Sequence, residues 1–333
     1  MLSYLIRRIF LMVPTLLGIT LMVFAISRLA PGDPLSLMMG PESQLDAARA
    51  ADVREARRKL YGLDQPVYVQ YVKWLGQVVR LDFGDSIKHQ RPVVALIGER
   101  LPVTLVLNLI AFVVIYTVSL PLGVLAAVRH RGWFDQGSSV VLFMLWSLPS
   151  MWVGQMLIGY FTGTTFMNWF PPAGLSSNFA DELPFFPWLW DRLWHLVLPV
   201  LTLTYAGFAY LTKQVRAGML DNLRMDYVRT ARAKGLSQAV VVFRHAFRNS
   251  VIPVITIMAT LLPAMFAGSV IVESIFSVPG MGLLAFEAVT TRDYNVVMAV
   301  ATIAGTLNLL GLLLADVAYA IADPRITFGR SGV

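Results

Sequence analysis

The chain has 333 residues, 56% of them hydrophobic and only 14% charged, with 27 Lys and Arg against 20 Asp and Glu. A soluble domain carries charge on about a quarter of its residues, so this composition excludes an ordinary water-soluble fold and points to a membrane protein. Cysteine is absent, which excludes disulfides, thiolate catalysis and cysteine-ligated clusters, and the four histidines, His89, His130, His195 and His245, show no metal-ligand spacing.

A helix that crosses about 30 Å of hydrocarbon needs about 20 apolar residues free of charge. Residues 9–27 form the first such window. It is longer than the apolar core of a signal peptide, and the SRLAPGDP that follows offers no small-x-small cleavage site, so an uncleaved anchor is predicted over 1–30. The turn-rich APGDPLSLMMGPE leads to QLDAARAADVREARRKLYGLDQP, where Leu45, Ala48, Ala51 and Leu60 among Asp52, Glu55, Arg57, Arg58 and Lys59 predict a surface helix stopped at Gly62. Its basic run reads as a solvated face before it reads as an anion site. A second helix is expected after Pro66, with Val67, Tyr71, Trp74, Leu75 and Val78 on one stripe. Residues 31–100 therefore read as a small external domain inserted between the first two spans.

Five more charge-free windows follow, at 101–128, 136–180, 193–212, 249–272 and 294–315. The 136–180 window is too long for one span, and GTTFMNWFPPAG predicts a helix end near residue 162 with a loop after it. That loop, 163–192, holds Trp169, Phe170, Phe185, Phe186, Trp188 and Trp190, with Trp194 just beyond, and reads as an interfacial aromatic belt. The expectation is an all-α integral membrane protein of six transmembrane helices, five of them in a core over 101–333. Pro121, Pro149, Pro199 and Pro263 lie within spans and predict kinks, for packing or near a pathway. Asn108 and Asn308 either line a cavity or hydrogen-bond between helices.

Lys and Arg in short flanks set the orientation, because cytoplasmic loops carry the positive excess. A cytoplasmic start places fourteen of them inside, from Arg7 and Arg8 through Arg129 and Arg131 to Arg325 and Arg330. The two short outer loops then hold only Arg192 and Arg292, beside Asp181, Glu182, Asp191, Glu287 and Asp293. Both termini are expected in the cytoplasm, and the net charge of +7 is read as this bias and not as nucleic-acid binding.

Catalytic groups are sparse. Glu273 ends the fifth window and Asp316 follows the sixth; both are expected to reach an aqueous interface, with a gate or partner contact as the alternative for Glu273. The dipeptide Gly-Lys occurs nowhere, so the chain cannot be a P-loop ATPase. An ion-coupled secondary transporter would show midplane acids and inverted repeats, and a membrane hydrolase a nucleophile with a base or metal ligands; the windows supply neither, and His195 is expected at a helix entrance.

Between the fourth and fifth windows, residues 213–248 carry eight basic residues against Asp221 and Asp226. Such a segment is a docking surface, a membrane-surface element or only a loop obeying the positive-inside rule. Within it, DYVRTARAKGL predicts a short helix from Asp226, with Thr230, Ala231 and Ala233 allowing close backbone approach and Gly235 as a left-handed stop. The shape suits a peg in a groove.

DYVRTARAKGL followed by RHAFRNSVIPVI resembles the cytoplasmic loop of permease subunits of binding-protein-dependent ABC importers. The family-wide pattern of Glu-Ala-Ala, three residues, then Gly falls here on Arg229, Thr230, Ala231 and Gly235, so the sequence departs from it at the first two places and looks like the peptide-importer branch. The resemblance runs along the chain: LIRRIFLMVPTLLGITLMVFAISRLAPGDP is similar to the first span of dipeptide, oligopeptide and nickel permeases, and DFGDSI, VESIFSVPGMG and the terminal ADPRI resemble later motifs. GLLAFEAVTTRDY and DPRITF look similar to the branch importing microcin-C-type and other oligopeptides.

That resemblance implies the type-I ABC importer permease fold, with an external insertion between helices 1 and 2. It implies a subunit of an ATP-driven importer of peptides, or of nickel or another small solute, in the bacterial inner membrane. Asp226, Tyr227, Arg229, Thr230, Ala231, Arg232, Ala233, Lys234 and Gly235 would form the coupling helix in a cleft of the ATPase, and Glu273, Pro279 and Gly280 a gate or interface. The implied partners are a second homologous permease, two ATPase subunits and an extracytoplasmic binding protein, with ATP and Mg used by the ATPases and no cofactor on this chain.

Overall fold

The computed structural model describes residues 2–29, 65–163, 166–251, 254, 265 and 268–322. The helix expected before Gly62, Pro263 and most of the fifth window lie outside the described residues. Among those described the structure is helical, with a single isolated β-bridge between Asp85 and Pro92. Four helices are long and apolar enough to cross a membrane, and a bent pair could supply a fifth span. The chain divides into two compact units, 1–102 with 284–309 and 103–283 with 310–333.

In the first unit, α1 (Leu2–Leu29) packs on α2 (Val67–Val79). Phe24 is the centre: its ring lies 5.4 Å from Tyr71 and 5.7 Å from Trp74, and Met298 completes the cluster. Tyr71, Trp74 and Val78 of the stripe expected after Pro66 belong to this cluster, whereas Val67 is exposed, and Tyr71 also shares a 3.0 Å hydrogen bond with Thr20. The DFGDSI loop is fixed by Asp293, whose carboxylate accepts from Ser86 Oγ at 2.6 Å and from the Lys88 amide at 3.2 Å. The sequence places Asp293 in a short outer loop; at 1% exposure it is a buried anchor for the DFGDSI loop.

The second unit contains most of α3 (Val93–Val128), then α4 (Trp133–Ser147) and α5 (Ser150–Phe161), which form the bent pair. The pair turns by 97° at Leu148–Pro149. Proline after Leu148 has no amide to continue the ladder and pushes the preceding residue to extended backbone, here φ −81°, ψ 132°. The end of α5 at Phe161 agrees with the boundary predicted near 162.

Next, α6 runs from Phe185 to Leu223, well beyond the 193–212 window at both ends. The aromatic segment 185–192, expected as loop, is its first two turns. His195 therefore lies inside a helix and not at its entrance; it is buried, and Nδ1 meets the Asp191 carbonyl at 2.8 Å. After α6 come α7 (Asp226–Ala233) and then Gln238–Val240, Val241–Phe247 and Arg248–Ser250, which run on as one helix, α8 (238–250), with a π-helical middle. The short α9 (Val270–Ile275) precedes α10 (Met281–Thr290) and α11 (Tyr294–Ala322).

Small residues bring these helices together, as is usual where lipid gives helices no hydrophobic reason to associate. A Cβ on Gly123 of α3 would stand 2.6 Å from Val215 of α6, and one on Gly207 of α6 would stand 2.6 Å from Ile115 of α3. Asn108 donates to the Met265 carbonyl at 2.9 Å, the second of the two roles open to it in the sequence. Phe10, Met22 and Phe143 are 65–76% exposed, as side chains that face lipid must be.

Candidate functional site

The helix expected from DYVRTARAKGL forms over eight residues, and Gly235 ends it at φ +75°. Asp226 stands in its first turn, where a carboxylate favours the helix dipole, and pairs loosely with Arg229 at 3.5 Å. At 94% and 74% exposure that pair contributes little stability. The helix has two unlike faces. Val228 and Ala231 are 0% and 4% exposed, and they join Val124 and Ala127 of α3, Val215 and Met219 of α6, and Val241 and Ala246 of α8 in one core. Tyr227, Arg229, Thr230, Arg232, Ala233 and Lys234 face outward. Ala231 thus packs inside its own chain, in the shared core and not in a partner's groove.

The second predicted group, Glu273, Pro279 and Gly280, is brought together differently. Glu273 is fully buried, contrary to the expectation that it reaches an aqueous interface. The reason lies in the short turn from α9 to α10. The Ser269 amide donates to Oε1 at 3.3 Å, the Leu283 amide to Oε2 at 2.9 Å, and Thr104 Oγ1 of α3 donates to Oε1 at 3.1 Å while accepting from the Met281 amide at 2.8 Å. Glu273 and Thr104 together cap the first turn of α10, whose N–H groups have no partner within the helix.

Glycine makes this pocket possible. A Cβ on Gly280 would come within 2.6 Å of Thr104 Oγ1, and one on Gly282 within 3.0 Å of Glu273 Oε2. Gly268, at φ +71°, would meet the Gly282 amide at 2.8 Å. Pro279 is half-buried beside Gly280. The arrangement can hold three backbone segments in register; it offers no nucleophile–base pair, and no group of three metal-ligating side chains occurs among the described residues.

The family model for the binding-protein-dependent transport system inner membrane component matches residues 119–328, and the model for the N-terminal part of such components matches 1–108. The chain belongs to this family of importer permeases. Relatives match this permease nearly end to end. The oligopeptide transport system permease protein AppB of Bacillus subtilis is 43% identical, over 98% of this chain and 100% of its own. The di/tripeptide transport system permease protein DppB of Pseudomonas aeruginosa is 38% identical, over 99% and 100%, and the inner membrane ABC transporter permease protein YejB of Escherichia coli O157:H7 is 36% identical, over 98% and 99%.

Sequence reasoning on the permease missed one buried group, Asp135 of α4, which is 3% exposed and bound by Arg216 of α6. Both flank charge-free windows, and in sequence Arg216 is one of the eight basic residues over 213–248. No local pattern joins residues this far apart in sequence.

Proposed function

We propose that the permease is the membrane-spanning subunit of an ATP-driven importer that carries peptides or peptide-like compounds across the cytoplasmic membrane. The observation behind this reading is the end-to-end similarity to permeases named for oligopeptide and di/tripeptide transport, at 43% and 38% identity. In this reading the chain works with a second homologous permease, two ATPase subunits and an extracytoplasmic binding protein that delivers the cargo. The ATPases bind ATP and Mg; the permease transmits their motion and has no ATPase site of its own. Both termini and residues 213–248 face the cytoplasm, by the distribution of Lys and Arg. Residues 1–30 are the anchor helix, 31–100 the external insertion and 101–333 the core.

The packing of α7 supports its role as the coupling helix. Its outward face offers Arg229, Arg232 and Lys234 to a partner, while Val228 and Ala231 sit in the core shared with α3, α6 and α8. A push on the outer face is therefore delivered to three helices at once. ATP can drive alternation only if the ATPase pair binds the two permease states unequally, because a partner without state preference shifts nothing. Glu273, Pro279 and Gly280 hold the turn before α10 as a rigid gate element.

The test is uptake of labelled peptides and of Ni²⁺ into vesicles that contain the assembled complex, with and without binding protein and ATP. Peptide uptake that requires both is the expected result. Ni²⁺ uptake without peptide uptake would overturn the cargo, and uptake driven by an ion gradient without ATP would overturn the importer reading itself.

A further inference from the structure

The reversal between α3 and α4 is tight. Arg131 sits at φ +61°, and the Gly132 amide donates back to the Arg129 carbonyl at 2.8 Å. Asp135, in the first turn of α4, closes it by accepting from the Arg131 amide at 2.9 Å. The same carboxylate receives both arms of the Arg216 guanidinium, Nε to Oδ1 at 2.5 Å and Nη2 to Oδ2 at 2.7 Å. His130 joins the group, with Nδ1 3.4 Å from Asp135 Oδ2 and 3.3 Å from Arg216 Nη2.

Arg216 lies in a closely packed part of α6. Its neighbour Val215 presses on Gly123 of α3, and Gly218 faces Ser250 of α8, whose hydroxyl donates to the Gly218 carbonyl at 3.0 Å. Two turns later α6 ends at Leu223, and α7 begins at Asp226. Apolar contacts such as that of Val215 with Gly123 resist separation but allow helices to slide. A two-armed guanidinium–carboxylate pair also fixes orientation, because both hydrogen bonds survive only in one relative pose. Buried ion pairs seldom add net stability over apolar packing, so a pair at this junction is better explained by the geometry it enforces.

We propose that Asp135 and Arg216 form a clasp that makes the 129–132 reversal and the start of α4 move together with α6 and α7. Movement of α7 then reaches the bent α4–α5 pair directly. Both are assigned as positioning residues, each acting by fixing the other. The inference rests on α7 being the coupling helix, and its test separates the two claims.

The first arm uses the assembled complex in vesicles with Asp135→Asn and Arg216→Lys. Both variants are expected to keep the ATPase subunits bound and hydrolysing ATP, while peptide moved per ATP falls about tenfold, within the range usual for coupling between two sites. Because the chain contains no cysteine, Asp135→Cys combined with Arg216→Cys can be joined by a short thiol cross-linker. Joining is expected to restore the peptide moved per ATP that the unjoined double variant loses, a rescue that mere stabilisation of the fold would not give. Wild-type coupling in Asp135→Asn overturns the clasp, and so does a cross-link that halts transport.

The second arm needs no transport. In the full permease in lipid nanodiscs, hydrogen exchange is read at the Arg131 amide and over 226–233, and Arg216→Lys is expected to speed both. Faster exchange confined to 129–135 overturns the link to α7. If the wild-type complex shows no ATP-driven uptake, the importer reading fails, and this second arm still decides the clasp.

Discussion

Asp135 and Glu273 are both buried carboxylates of the second unit, at 3% and 0% exposure, and the fold holds them by opposite means. Asp135 is bound by a cation on a long stem, and the Arg216 side chain keeps 24% exposure. Glu273 has no cationic partner among the described residues; two amides and a threonine hydroxyl donate to it, and three glycines crowd around it. Removing a carboxylate from water is costly, and each solution offsets that cost differently. The guanidinium fork joins two helices that are far apart in sequence and leaves one partner in reach of water. The glycine-lined pocket locks a turn to its own neighbours and leaves no slack. A joint that must transmit motion suits the first, and a corner that must keep its shape suits the second.

The sharpest way to break this comparison is to strand one charge. Arg216→Gln leaves the Asp135 carboxylate buried with only the Arg131 amide and His130 near it, and is expected to cost about 3 kcal/mol, the lower part of the range for a broken buried pair. Asp135→Asn strands the arginine instead, which can turn to water, so about 1–2 kcal/mol is expected. Thermal unfolding in one detergent checks the order. Equal losses would mean that the pair is solvated like a surface bridge.

Gly280→Ala tests the other joint through sterics. Its Cβ would stand 2.5 Å from Glu273 Cδ and 2.6 Å from Thr104 Oγ1, a clash that only a shift of the turn can relieve. A loss of about 3 kcal/mol is expected, at the upper end for overpacking, and combining it with Glu273→Ala should return part of that loss by emptying the pocket. Glu273→Gln keeps the shape but points an NH₂ at a backbone amide, Ser269 or Leu283, whichever way the side chain is turned. About 2 kcal/mol is expected, the cost of a buried group left without its bond. An unchanged unfolding temperature would show that the three donors do not depend on the carboxylate.

Much of the fold was legible because hydrocarbon imposes a simple rule. The charge-free windows located α1, α3, α6 and α11, Pro149 marked the break between α4 and α5, and the stripe from Val67 to Val78 gave α2. Helix ends were less legible. α6 begins at Phe185, although Asp191 and Arg192 interrupt the apolar run, because a charged residue near an interface can be tolerated without ending the helix. In the candidate site, the start at Asp226 and the left-handed Gly235 followed from local chemistry. The inward turn of Ala231 and the burial of Glu273 did not, since each depends on residues such as Thr104 and Met219 that only tertiary packing brings near. The Asp135–Arg216 pair belongs to the same class.

Gly235 gives the smallest effect and the cleanest separation of stability from coupling. Nothing lies within 4 Å of where its Cβ would stand, so alanine meets no clash and the cost is only that of φ +75°, about 1 kcal/mol for an ordinary L-residue. That strain falls on the termination of α7 and not on the core, because Val228 and Ala231 remain seated whether the chain turns at 235 or a residue later. Global unfolding should therefore change little in Gly235→Ala. Affinity for the ATPase subunits should fall about fivefold if the outer face of α7 must end at this point to dock, since about 1 kcal/mol corresponds to that factor. Gly235→Asn should recover part of the loss, because asparagine adopts the left-handed conformation more readily than alanine. Equal affinity in all three proteins would show that the end of α7 does not contact the ATPase, and would move the coupling surface to the exposed side chains Arg229 and Arg232 alone.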